Sequence, residues 1–204
     1  MARGDRMTEH EWRTTADPTP MLDHLREQNV SERKLRLLAC ACCRRIWDYL
    51  DDPRSRRAVE VSERFADARA TLKELAHARG AALSAKGGAE MAAYWAANIK
   101  AAGPLWNILA VAAAAPARKA TQKTQLAETW EAVQAESVRE QVELIREVIG
   151  NPFREPWVGE RELSWEGGLA MRLAEGIYEE SAFERMPYLG DALEEAGCLD
   201  EEIL

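Results

Sequence analysis

The chain has 204 residues, 27 basic against 35 acidic side chains for a net charge of −8, and 47% hydrophobic residues. That apolar fraction excludes a disordered chain, and the composition excludes collagen-like, low-complexity and disulfide-scaffold classes. A chain of this length buries a core without a disulfide or a metal, as one domain or little more. Its charge is uneven: residues 1–60 and 61–150 are each +1, whereas residues 151–204 carry 14 acids against 4 bases, a net of −10. An acidic end repels nucleic acid and membrane surfaces, so any such contact must come from the first half.

Nearly every segment reads as helix. Thr8 to Glu11 is a capping box opening a short helix with Trp12. Asp17-Pro18-Thr19-Pro20 stops it and starts a second, with Met21, Leu22 and Leu25. Ser31 caps a stronger helix over about 32–50, where Leu35, Leu38, Cys42, Ile46 and Tyr49 form one apolar stripe. After Asp52-Pro53 the stripe is Ala58, Val61, Phe65 and Ala68. Thr71 to Glu74 is a second capping box, before Leu72, Leu75 and Leu83; Gly87-Gly88 is a break. Residues 89–117 are Ala-rich, carry Tyr94, Trp95, Trp106, Ile108 and Leu109, and are punctuated by Gly103-Pro104 and Pro116.

The longest helix is expected over 117–149, with Leu126, Trp130, Val133, Ser137, Gln141, Leu144 and Val148 at steps of three and four. Gly150-Asn151-Pro152 ends it in the order of a C-terminal glycine followed by proline. An extended loop over 151–163 follows, with Phe153, Arg154, Pro156 and Trp157. Further helices are expected from Ser164 (Leu169, Leu173, Ile177), from a third capping box at Ser181 to Glu184, and from Pro187 (Leu189, Leu193) to Gly197, with Asp200 capping a last turn.

No alternating pattern and no fixed-period repeat is present, so the expected fold is all-α: a single multi-helix, bundle-like, non-repetitive domain without a sheet. Within one domain over 7–204 the segments are the N-terminal helices 7–84, the Ala-rich 85–117, the long helix 118–150, the loop 151–163 and the acidic helices 164–204. The expected core is Leu35, Leu38, Cys42, Ile46, Phe65, Trp130, Val133, Leu144, Leu169, Leu173 and Leu193. The uncharged run 101–117 falls short of the ~20 residues that span a bilayer, so no membrane contact is expected. Residues 1–20 lack a signal-peptide pattern, and Cys40, Cys42 and Cys43 lie too close along one helix to bridge easily, which points to reduced thiols and a cytoplasmic setting.

Several strings stand together: Met7-Thr8-Glu9 with Glu11-Trp12, Ser31 to Leu37 running into Ala39-Cys40-Ala41-Cys42-Cys43-Arg44-Arg45-Ile46-Trp47, Ser55 to Glu60, Asn151-Pro152-Phe153-Arg154, and Leu189-Gly190-Asp191-Ala192-Leu193-Glu194-Glu195-Ala196-Gly197-Cys198. The set resembles an uncharacterised protein family expanded in planctomycete bacteria, and it covers both ends of the chain but not the Ala-rich middle. No established activity comes with that resemblance. It implies that Met7 is the natural start and residues 1–6 an extension. It also implies a continuation past Leu204 with a His-Cys pair that this chain lacks, which leaves a metal site using that pair without two of its ligands.

Three constellations can carry chemistry. Cys40 and Cys43, three apart on one helix face, could join Cys198 and His24 in a tetrahedral zinc set, the one cofactor considered. Against it stand the absence of paired Cys-x-x-Cys turns and the habit of free Cys as a small buried hydrophobe. Arg44, Arg45, Arg54, Arg56 and Arg57 could form a phosphate-binding patch if their exposed faces align, against internal pairing with carboxylates. Phe153, Arg154 and Trp157 on the extended loop, beside the acidic flank, could dock another protein, against the simpler role of stapling the loop down. No catalytic residue is assigned: the three histidines, His10, His24 and His77, have no visible nucleophile and orienter, and the Gly-Gly pairs lack a phosphate-loop pattern. The leading expectation is therefore a non-catalytic protein-interaction or adaptor module with another protein as partner. The alternatives are a nucleic-acid-associated regulatory protein and a zinc-stabilised helical domain.

Overall fold

The computed structural model describes residues 7–28, 30–85, 87–101, 103–124, 127–154, 157–200 and 203–204. Among them lie eleven α-helices, three single 3-10 turns and no strand, so the chain is all-α. It divides into two compact units, Met1–Gly150 and Asn151–Leu204. The junction is where helix formation must stop: Gly150 takes a left-handed φ of 77° and Pro152 cannot extend the helix.

The first unit holds α1 (Glu9–Thr14), α2 (Pro18–Glu27), α3 (Glu32–Arg45), α4 (Pro53–Ala66), α5 (Leu72–Leu83), α6 (Glu90–Ala96), α7 (Leu105–Thr124) and α8 (Ala127–Ile149). Its starts are chemically marked. Both expected capping boxes form: the Thr8 and Thr71 hydroxyls accept from the Glu11 and Glu74 N–H groups, and each glutamate accepts from the threonine N–H at 2.7 Å. Those backbone hydrogen bonds hold both glutamates below their ordinary pKa. Asp17, Ser31 and Asp52 cap α2, α3 and α4.

The boundaries differ from expectation in instructive places. Helix α3 ends at Arg45, not near 50, and a 3-10 turn at Trp47–Tyr49 follows. Pro116 does not punctuate: α7 runs through it for 20 residues. A proline inside a helix costs about 3 kcal/mol, and here the surrounding alanines are the best helix formers and Ala112 to Ala115 and Ala117 are buried. The expected long helix 117–149 is accordingly two, α7 and α8, which pack on each other more extensively than any other pair. Gln141, on the α8 stripe, is buried and its amide donates to the Leu109 carbonyl at 2.8 Å. Leu126, assigned to that stripe, lies outside the described residues.

Helix α3 touches α4, α6, α7 and α8. A helix approached from so many sides needs small side chains around most of its surface, and Ala39, Cys40, Cys42 and Cys43 are all buried. Leu35, Leu38 and Ile46 fill the larger gaps. One buried residue of α3 is charged. Arg36 is 2% exposed, and its guanidinium donates to the carbonyls of Ala96 (3.4 Å), Asn98 (2.7 Å) and Ile99 (2.8 Å), over the ring of Phe65. It thereby satisfies carbonyls at the C-terminal end of α6, where a cation also meets the negative end of the helix dipole. Ser62 donates to the same Ala96 carbonyl at 2.7 Å, and Glu32 accepts from the Ala101 N–H at 3.0 Å.

The second unit holds α9 (Glu160–Ser164), α10 (Leu169–Glu180) and α11 (Met186–Glu195). Ser164 ends α9 and does not open a long helix; left-handed Gly167 and Gly168 intervene before α10. The third capping box does not form. Ser181 sits at φ 52° and closes α10, with the Ala182 N–H donating to the Ile177 carbonyl at 2.9 Å. The chain reverses within one residue of α10, so Ser181 is spent on ending one helix and cannot cap the next. Gly197 ends α11 as expected, at φ 96°, with Cys198 N–H donating to the Leu193 carbonyl at 2.9 Å. This unit has its own small core of Ala170, Leu193 and Cys198, with Val158, Leu189 and Ile203 packed against it. Of the expected core residues, Phe65, Trp130, Val133, Leu169 and Leu173 are only half-buried.

Candidate functional site

The cysteines are packing residues. All four are free and buried. Burial pushes the Cys40 and Cys42 thiols up to about 12 and Cys43 well above its ordinary value. A thiol so shifted is not a nucleophile at neutral pH. His24 is also buried, its ring tilted against Trp12 at 6.1 Å. Among the described residues no group of three or more His, Cys, Asp or Glu is placed to hold a metal ion. The raised pKa values carry a pH prediction. The folded state keeps its thiol protons while the unfolded chain loses them near about pH 8.5. Stability from Cys40 and Cys42 is therefore complete below that point and falls as pH rises towards about 12. Melting temperatures from pH 7 upward should decline more steeply in the wild type than in a Cys40→Ala/Cys42→Ala variant, and Ellman's reagent should reach the thiols only on unfolding.

The arginines proposed for phosphate are engaged within the chain. Arg44 forks onto Glu63 with bonds of 2.8 and 2.6 Å, and its guanidinium lies 4.0 Å from the Trp47 ring centre. Arg45 pairs with Glu140 at 3.6 Å and Arg57 with Glu60 at 3.4 Å. Arg54 grips Asp52, holding that carboxyl at about 2, and also donates to the Ser84 carbonyl. Arg56 donates to the Leu50 carbonyl at 2.7 Å and to that of Trp47 at 3.4 Å, closing the 3-10 turn. Four of these cations thus have a carboxylate partner within the chain, and Arg56 has backbone carbonyls.

A cleft of about 730 Å³ opens beside the Gly87-Gly88 break, lined also by Asp51, Asp52, Arg54, Glu90 and Arg118. The backbone holds Gly87 to glycine, at φ 143°, whereas a side chain at Gly88 would meet only the end of the flexible Arg118. A Cβ on Gly87 would lie 2.0 Å from a Glu90 carboxylate oxygen, and one on Gly88 2.3 Å from the Arg118 guanidinium. Glu90 is buried and accepts from the Asp51 N–H at 3.3 Å. The lining mixes both signs of charge, and its glycines serve close packing of charged side chains.

The second unit carries the open apolar surface. Trp157 is 75% exposed, Arg154 is exposed and Phe153 is half-buried, so of the three loop residues expected to dock a partner the tryptophan stands furthest out. Sequence reasoning missed its companions: Tyr178 (79%), Tyr188 (64%), Met171, Met186, Leu199 and Leu204 are exposed too. Among the described residues only Leu72, Leu83 and Ile99 of the first unit are comparable, although that unit is the larger. A signal was present in the heptad step from Met171 to Tyr178, which lies off the Leu169, Leu173 and Ile177 stripe. Large exposed apolar side chains concentrated in one part of a structure mark interaction surfaces.

No described helix is long and apolar enough to cross a membrane. No protein-family model, no curated protein and no solved structure matches this chain.

Proposed function

We propose that this protein is a non-catalytic, protein-binding helical module whose docking surface lies on residues 151–204. The observation that carries the reading is the concentration of exposed Trp157, Tyr178, Tyr188, Met171 and Met186 in a segment of net charge −10. Tyrosine and tryptophan anchor binding hot spots because they bury much area at little entropic cost. The first unit supports the reading by contrast: its thiols are buried, and Arg44, Arg45, Arg54 and Arg57 are paired with carboxylates.

The test is photo-crosslinking in cells that express the full chain, with Trp157 replaced by the photoreactive p-benzoylphenylalanine. A control carries the same residue at exposed Leu83. The expected result is a discrete adduct with one other protein from position 157 and none from position 83. No adduct, or the same adducts from both positions, overturns the reading.

A further inference from the structure

The exposed face of α10 identifies the chemistry of the partner, an inference that rests on the reading above. Met171, Glu175 and Tyr178 step by four and three residues along this helix, so they form one stripe about 10 Å long on its solvent side. The opposite face, Ala170, Leu173 and Ile177, supplies the unit's packing. Tyr178 is 79% exposed and Met171 47%. Glu179 is exposed immediately beside Tyr178.

The charges bordering the stripe are uncompensated. Arg172 is the one base on α10, and its guanidinium is turned back onto the Gly167 and Glu166 carbonyls. Glu180 is held by Arg185 at 2.7 Å. The Glu175 and Glu179 carboxylates have no hydrogen bond or ion pair among the described residues. The surface is therefore a strip of methionine and tyrosine edged by two open carboxylates.

Each class of occupant can be weighed against that surface. Nucleic acid and anionic lipid are repelled by a segment of net charge −10. A second copy of the same face brings its own carboxylates against these, and like charges at an interface are costly. A purely apolar partner would strip water from Glu175 and Glu179 and leave them unpaired. A partner with an apolar stripe flanked by lysine or arginine covers Met171 and Tyr178 and pairs both carboxylates. Methionine adapts its shape to such partners. We propose that the Met171–Glu175–Tyr178 face of α10, with Glu179, docks a basic amphipathic helix of another protein, the helix-in-groove mode of recognition reduced to a helix face.

The test is fluorescence anisotropy of the full chain with a labelled amphipathic peptide of leucine and lysine, about four turns of helix long. Binding is expected at low salt and should weaken as salt rises. Met171→Ser/Tyr178→Ser should weaken it by about tenfold or more, as loss of central anchors does. Glu175→Gln/Glu179→Gln should also weaken it, whereas Glu131→Gln/Glu147→Gln, which removes the same charge from exposed sites on α8, should not. All four positions on α10 are exposed, so circular dichroism should find these variants folded. The inference is overturned by absence of binding, by equal binding of a leucine–glutamate peptide, or by equal effects of the two charge-removal pairs. A crosslinked partner at Trp157 that meets the chain without basic residues would also overturn it, while leaving the interaction reading in place.

Discussion

Replacement of Arg36 by alanine is expected to destabilise the first unit by about 4 kcal/mol, among the largest effects of any single substitution in this chain. The carbonyls of Asn98 and Ile99 take their side-chain donors from this one guanidinium, and that of Ala96 accepts from it and from the Ser62 hydroxyl. Removing it takes the donor from the part-buried Asn98 and Ile99 carbonyls, and each orphaned group costs about 1–3 kcal/mol. The cavity beneath Phe65 adds to that cost. Arg36→Met should recover the packing but not the hydrogen bonds. Arg36→Lys should recover the charge but only part of the fork, since an ammonium is a point donor. Urea unfolding followed by circular dichroism should rank the four proteins wild type, Lys, Met, Ala. An Arg36→Ala protein within 1 kcal/mol of wild type would show that the α6–α7 turn is held by something else.

Replacement of Trp12 by alanine is expected to cost about 3–5 kcal/mol, the range for deleting a buried large aromatic. Helix α1 has 6 residues, too short to persist alone, and Trp12 is its single buried side chain. The α1 backbone is also gripped by Arg146 of α8, which donates to the Trp12 carbonyl at 3.0 Å and to the Thr15 carbonyl at 2.6 Å. Losing the indole removes the contact with the His24 ring and the burial that brings those carbonyls within reach. Hydrogen exchange should therefore rise first and most across residues 9–27, before the rest of the unit opens. Uniform acceleration over the whole unit would instead mean that α1 and α2 unfold with the remaining helices as one cooperative piece.

Parts of the candidate site were legible in the sequence and parts were not. Trp157 could be named because two neighbouring prolines and an absence of helical periodicity isolate it on a loop. Tyr178 and Met171 share a spacing of seven that lies off the Leu169, Leu173 and Ile177 stripe, but which of the two stripes is exposed shows only once the neighbours are placed. The five arginines illustrate the converse. Their clustering is a fact of sequence, but Arg44 finds Glu63 across α4, and Arg45 finds Glu140 on α8, nearly a hundred positions away. Pairing at that separation is invisible to local spacing.

By itself the sequence determined the helical class, the N-terminal caps at Thr8, Ser31 and Thr71, the helix starts at Asp17-Pro18 and Asp52-Pro53, the stop at Gly150, and the acidic segment that follows it. These depend on interactions within a few residues: a side-chain oxygen reaching an N–H two or three positions on, a glycine admitting a positive φ, a proline lacking a donor. Tertiary structure decided the rest. Pro116 is carried through α7 because the alanines around it are buried, and Ser181 ends a helix instead of starting one because the chain must reverse there. Arg36 is buried because carbonyls some sixty residues further along come to meet it. Such outcomes are set by long-range contacts, whose energies exceed local preferences by several-fold and whose partners no local pattern names.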